Sequence, residues 1–191
     1  MFLLNKILLF LFLNFFLILN LNILYAKTVV VKNTITCDDS RKIYKVCSDQ
    51  NLSYMKIHAQ AVHENKQLVL IFGADWCPWC QSMNKIFQDP KFRTAIDATM
   101  IPLEIGIYKP SSREQVESGT LVLNHLFKVN KLDRNAYKGI PLIALVKPNI
   151  NSKMDKAIFI KTGDLEKNSK AHKGHDPEKV LKALLSAQKR L

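Results

Sequence analysis

Two thiols three positions apart, in Trp76-Cys77-Pro78-Trp79-Cys80, are the residues of this chain best suited to do chemistry. They follow Leu68 to Phe72, a continuous apolar run of strand length, and open a stretch in which Met83, Ile86 and Phe87 have helical spacing. A strand is thus expected to deliver the thiols to the first turn of a helix. There the unpaired backbone N–H groups and the positive end of the helix dipole favour a negative sulfur. A free thiol with a pKa near 8.5 is only about 3 percent thiolate at pH 7, whereas helix N-termini in such motifs bring the value to roughly 3.5 to 7.5. Cys77 is the expected nucleophile. Cys80, one turn inside the helix, is placed to attack a mixed disulfide formed on Cys77 and release the product. Pro78 suits the first helical position, where no amide hydrogen is needed.

The same spacing supplies half of many zinc sites. Here the other half is poor, because Cys37 and Cys47 are far upstream and no second Cys-x-x-Cys exists. A disulfide between Cys37 and Cys47 would close a loop of about eleven residues and stabilise the fold by roughly 3 kcal/mol. The alternative is a second redox pair that exchanges electrons with Cys77 and Cys80. Of the five histidines, His58, His63, His125, His172 and His175, only the last two lie close in sequence, flanking Lys173 and Gly174. Solvated loop histidines are expected there, with no metal and no cofactor.

The elements that must position the thiols can be read from the apolar pattern. Thr28 to Val31 has the composition of a short strand, and Thr36 to Gln50 is polar. A helix is expected from an N-cap at Ser53 to about Asn65. Beyond the helix that starts at Pro78, Asp89-Pro90 ends one helix and starts a short one over Lys91 to Ile96. Met100 to Ile107 reads as a second buried strand, and Val116 to Val129 as an amphipathic helix presenting Leu121, Leu123, Leu126 and Phe127. Pro141 to Val146 and Ala157 to Ile160 are expected to pair antiparallel. Asp176-Pro177-Glu178 opens a last helix with Val180, Leu181, Leu184 and Leu185 on one face. The order describes one α/β layer fold.

Residues Ile7 to Leu24 are almost all Leu, Ile and Phe, after the single basic residue Lys6 and before Leu24-Tyr25-Ala26. This is the pattern of a secretory signal at 1–26, or of an uncleaved membrane anchor. Residues 27–52 then form an N-terminal extension with Cys37 and Cys47, and 53–191 the folded domain. Either reading of the leader sends the chain to a periplasmic or other extracytoplasmic compartment, where disulfides persist. Without Lys6 the net charge falls only from +12 to +11, which suits a soluble surface, acidic partners or an anionic membrane. No basic run interleaved with aromatics is present, and no nucleic-acid partner is expected.

The chain resembles the thioredoxin superfamily, especially its exported thioredoxin-like members, over about Ser53 to Leu185. The resemblance rests on Phe72-Gly73-Ala74-Asp75-Trp76-Cys77-Pro78-Trp79-Cys80 followed by Gly139-Ile140-Pro141 at the start of a later strand. It implies a thioredoxin fold, with a central mixed sheet flanked by helices. It also implies a cis peptide bond at Pro141, which with Ile140 presents the substrate backbone beside the cysteines, while Trp76, Pro78 and Trp79 shape the contact surface. Two departures stand out. The buried acid that many members carry six residues before the nucleophile is Ile71 here, and Glu104 on the next core strand is a possible replacement proton acceptor or a surface glutamate. The connection from Tyr108 to Gly139 is also longer than the family's by roughly a dozen residues, as a flap beside the site or as extra surface.

These readings converge on a thiol-disulfide oxidoreductase acting on protein or peptide thiols, with a membrane redox partner as one source of electrons. Pro78-Trp79 matches neither the Gly-Pro of reducing thioredoxins nor the Pro-His of strong periplasmic oxidases, so the motif leaves reductant, oxidant and isomerase open. Two alternatives stand beside it. One is a thioredoxin-fold binding protein with a regulatory or inert disulfide, the other a client-specific reductant such as one for cytochrome maturation.

Overall fold

A computed structural model describes residues 39–40, 42–167 and 174–191. The chain divides into two units, Met1–Cys37 and Asp38–Leu191, and the described residues all belong to the second. The expected leader at 1–26, the expected strand at 28–31, Cys37 and His172 lie outside them.

Among the described residues, five α-helices and four strands follow in the order α1 (Gln50–Glu64), β1 (Gln67–Gly73), α2 (Pro78–Gln88), α3 (Pro90–Ile96), β2 (Met100–Gly106), α4 (Glu117–Val129), β3 (Leu142–Lys147), β4 (Lys156–Ile160) and α5 (Pro177–Gln188). The sheet order is β2-β1-β3-β4. Strand β1 pairs parallel with β2 and antiparallel with β3, and β3 pairs antiparallel with β4. The result is a mixed sheet with helices on both faces.

The continuous apolar run of β1 has a direct cause. Leu68, Leu70 and Phe72 face a core built with Tyr54, Ala61, Val122, Leu126 and Phe127 of α1 and α4. Val69 and Ile71 face the opposite core, with Met83 and Phe87 of α2, Ile96 of α3, and Val180 and Leu184 of α5. A strand covered on both sides has no polar face to alternate with. The consequence is that the cysteines leave the sheet from a strand packed on both faces.

Several expectations need correction. Helix α1 starts three residues before Ser53, because the Asp49 carboxylate accepts from the amides of Asn51 and Leu52 at 2.9 and 3.1 Å. An ionised cap with two donors outcompetes the serine, whose hydroxyl donates to the Asp49 carbonyl instead. Strand β2 is half-buried through its middle, since it forms an edge of the sheet among the described residues. On α4, Val122 is buried with Leu123, Leu126 and Phe127, and Leu121 is 52 % exposed. On α5, Ala187 takes the inward position expected of Leu185, which is 38 % exposed.

A buried polar cluster ties α1 to the turn between β3 and β4. The Asp155 carboxylate accepts from the Tyr54 hydroxyl at 3.1 Å and from the Asn149 amide at 2.7 Å, and His58 Nε2 lies 2.9 Å from it. Burial first, then the neighbouring Asp155 charge, hold the Tyr54 phenol far above its usual range. Both oxygens of this carboxylate are occupied, so removing it strands two buried side chains, Tyr54 and His58, and the Asn149 amide. Asp155→Ala should therefore cost about 3 kcal/mol of stability, read from the urea midpoint at constant slope. A shift below about 1 kcal/mol would show the cluster to be dispensable.

Candidate active site

Strand β1 ends at Gly73, and Ala74 to Trp76 turn the chain into α2. Cys77 is the N-cap of that helix, with its sulfur accepting from the Cys80 amide at 3.2 Å. Pro78 occupies the first helical position. Cys77 and Cys80 are both free thiols and both buried. The hydrogen bond from the Cys80 thiol lowers the pKa of Cys77 most; burial opposes it, and the amides of Cys80 and Trp79 add to the lowering, for a value of about 7. Cys80 is pushed far up, first by sharing its proton with Cys77 and then by burial. One thiol is thus close to half ionised at neutral pH, and its neighbour holds a proton.

The Ile140–Pro141 peptide bond is cis. The Ile140 carbonyl lies 3.6 Å from Cys77 Sγ and accepts from its thiol. Trp76, Trp79 and Ile140 pack around the two sulfurs, so the structure gathers these motif residues in one place. Glu104 lies apart. It stands beside Ile71 in the β1–β2 register and lines a groove with Lys42, Lys45, Asn84 and Gln88. Burial raises its pKa, against a backbone hydrogen bond and the charge of Arg93, and no hydrogen bond joins it to either cysteine. Cys47 is disulfide-bonded; Cys37, its expected partner, lies outside the described residues.

Three features of the site carry little signal in the sequence. The first is the segment Tyr108–Val116, which folds back on itself through a Tyr108–Gln115 bridge and a Lys109–Glu114 ion pair of 2.6 Å. It lies beside Trp76, whose indole N–H donates to the Ser112 carbonyl at 2.8 Å while the Arg113 guanidinium sits 5.7 Å from the ring centroid. The long connection therefore begins as a flap against the site. The second is His175, which meets Trp79 edge to face at 5.4 Å and whose amide donates to Ser82 Oγ. The third is Tyr44, completely buried against Cys77 and Cys80. A lone tyrosine in the polar stretch Arg41 to Ser48 offers no periodicity from which to infer burial.

The family model for thioredoxin-like proteins matches residues 51–148. The chain belongs to the thioredoxin-like family. The disulphide isomerase from Xylella fastidiosa Temecula1 has a similar fold, with a TM-score of 0.54 at 17% identity over 76% of this chain and 96% of that one. A thioredoxin from Thermus thermophilus aligns with a TM-score of 0.45 at 16% identity, covering 70% of this chain and 82% of the other. A search of curated proteins finds no match. The two expected departures are seen in place: the apolar Ile71 lies in the core with Met83 and Phe87, and the connection from Tyr108 begins against Trp76.

Two outcomes follow from the electrostatics. Iodoacetamide should modify Cys77 at a rate that rises through about pH 7 and levels above it, leaving Cys80 untouched; equal labelling of both thiols at pH 7 would contradict the assignment. Burial depresses the pKa of His175 to about 4. The unfolded chain, with its imidazole near 6.5, binds the proton more readily. Stability from His175 is therefore full above about pH 6.5 and is lost as pH falls toward 4. His175→Gln should flatten the stability profile across that window in equilibrium denaturation.

Proposed function

We propose that this protein is an extracytoplasmic thiol-disulfide oxidoreductase that exchanges disulfides with protein or peptide thiols through Cys77 and Cys80. The observation that carries the reading is the division of labour between two free thiols: a helix-capping Cys77 with a pKa of about 7, and a fully buried Cys80 that holds its proton. The apolar leader and the disulfide at Cys47 support the extracytoplasmic setting.

In the reducing direction the Cys77 thiolate attacks one sulfur of a substrate disulfide. A Cys77–substrate bond forms, the substrate S–S bond breaks, and the leaving sulfur departs as a thiolate. Cys80 then gives up its proton and attacks Cys77 Sγ. The Cys77–Cys80 bond forms, the mixed disulfide breaks, and the second substrate sulfur leaves and is protonated. Substrate chain lies against Ile140 and Pro141, with Trp76 and Trp79 on either side of the sulfurs. The oxidising direction runs the same steps backward.

Insulin disulfide reduction with dithiothreitol as electron source tests this. The wild-type protein should accelerate precipitation of the insulin B chain, Cys77→Ser should abolish the effect, and Cys80→Ser should accumulate a mixed disulfide on Cys77 visible by mass. An inert wild-type protein that also forms no mixed disulfide as Cys80→Ser would overturn the reading in favour of a binding protein.

A further inference from the structure

We propose that the Tyr44 hydroxyl is the hydrogen-bond donor that stabilises the Cys80 sulfur as it becomes a thiolate, in place of the buried acid that is absent at Ile71. The proposal rests on the thiol-exchange reading above and adds a residue to it from outside the motif.

The geometry comes from Gly73. A Cβ on this residue would lie 2.2 Å from Tyr44 Oη and 2.9 Å from Cys80 Sγ. The phenol oxygen and the sulfur therefore share the space that a side chain at the end of β1 would fill. Tyr44 and Cys80 are each 0 % exposed, and Tyr44 Oη is buried without a hydrogen-bond partner. Such an atom is costly unless a partner forms at some stage of the cycle. Its neighbour is the sulfur that must lose a proton.

The segment carrying Tyr44 is fixed to the reactive turn. The amides of Ile43 and Tyr44 donate to Asp75 Oδ1 at 2.9 and 3.5 Å, two residues before Cys77. Val46 covers Gly106 so closely that a Cβ there would lie 2.3 Å from Val46 Cγ1. Gln50 accepts from the Gly106 amide at 3.0 Å and donates to the Lys45 carbonyl. The tyrosine is thus held on the sheet face of Ile71 and Glu104, above the ends of β1 and β2.

Burial first, and the charge of Cys80 next, keep the Tyr44 phenol protonated far above neutral pH. It acts as a donor, not as a base. A donor favours the charged form of its acceptor, and a backbone hydrogen bond at Ala74 and, after it, the Tyr44 hydroxyl as the side-chain donor oppose the effects that push Cys80 up. In resolution the Cys80 proton passes to solvent and is recovered by the departing substrate thiolate. Tyr44 keeps its own proton throughout.

Tyr44→Phe removes one oxygen and keeps the ring. In stopped-flow exchange with a fluorescent peptide disulfide it should slow release from the mixed disulfide about ten- to a hundredfold, while attack by Cys77 changes by less than about twofold. In a Cys77→Ser background it should slow alkylation of Cys80 at pH 9 by about tenfold. A structural role alone would not separate the two steps. Site-specific 3-fluorotyrosine at position 44, a stronger donor of nearly equal size, should speed release, and this holds the test open if the phenylalanine variant folds poorly. Unchanged release and unchanged Cys80 alkylation in Tyr44→Phe would overturn the proposal, as would slowed release confined to Glu104→Gln. If the wild-type protein is inert and Cys80→Ser forms no mixed disulfide, the exchange reading fails while the alkylation comparison still decides the role of Tyr44.

Discussion

The sulfur of Cys77 caps a helix, and the arrangement of this molecule follows from holding it there. A thiol is a weak hydrogen-bond acceptor and a thiolate a strong one, so the amide of Cys80 at 3.2 Å rewards ionisation of Cys77. That reward depends on a helix N-terminus presented at a fixed place. Strand β1 supplies the place because both of its faces are packed, and Pro78 starts the helix without an idle donor. The same geometry buries Cys80 one turn further on, where apolar packing raises the cost of its charge. Activation of one thiol and restraint of the other have a single structural origin.

What the sequence makes legible is what local patterns encode. The apolar run Leu68 to Phe72, the Cys-Pro-Trp-Cys turn, the Asp-Pro pair ending α2 and the Asp-Pro-Glu start of α5 each act within a few residues, and each appears at its expected place. Choices between near neighbours were harder. Asp49 displaced Ser53 as a cap, and Val122 displaced Leu121 as a core residue, because tertiary context decides which of two adequate candidates faces inward. Long-range polar contacts were not legible at all. Nothing in the chain announces that Asp155 meets Tyr54 and His58 across about a hundred positions, or that a tyrosine from a polar segment fills the space above Gly73.

The missing acid and the buried tyrosine are two sides of one packing problem. With Ile71 in the core of α2 and α5, the face beneath Cys80 is apolar, and a phenol beside the sulfur arrives from a segment ahead of the first helix. That segment is anchored by Asp75 and by Gln50. Residues 42–50 are therefore part of the active-site wall, and the integrity of the thiol pair is coupled to a stretch of chain that the motif does not contain.

The surroundings of the two indoles have an optical consequence. The chain contains two tryptophans, and they are Trp76 and Trp79, each immediately preceding one of the two cysteines, Cys77 and Cys80. One is hydrogen-bonded to the Ser112 carbonyl under the Arg113 guanidinium, and the other is in edge contact with His175. Thiol sulfur quenches indole emission on contact. Indole emission, excited apart from the five tyrosines, is thus a signal from the surroundings of the thiol pair alone, and it reports a change in their oxidation state without any attached dye.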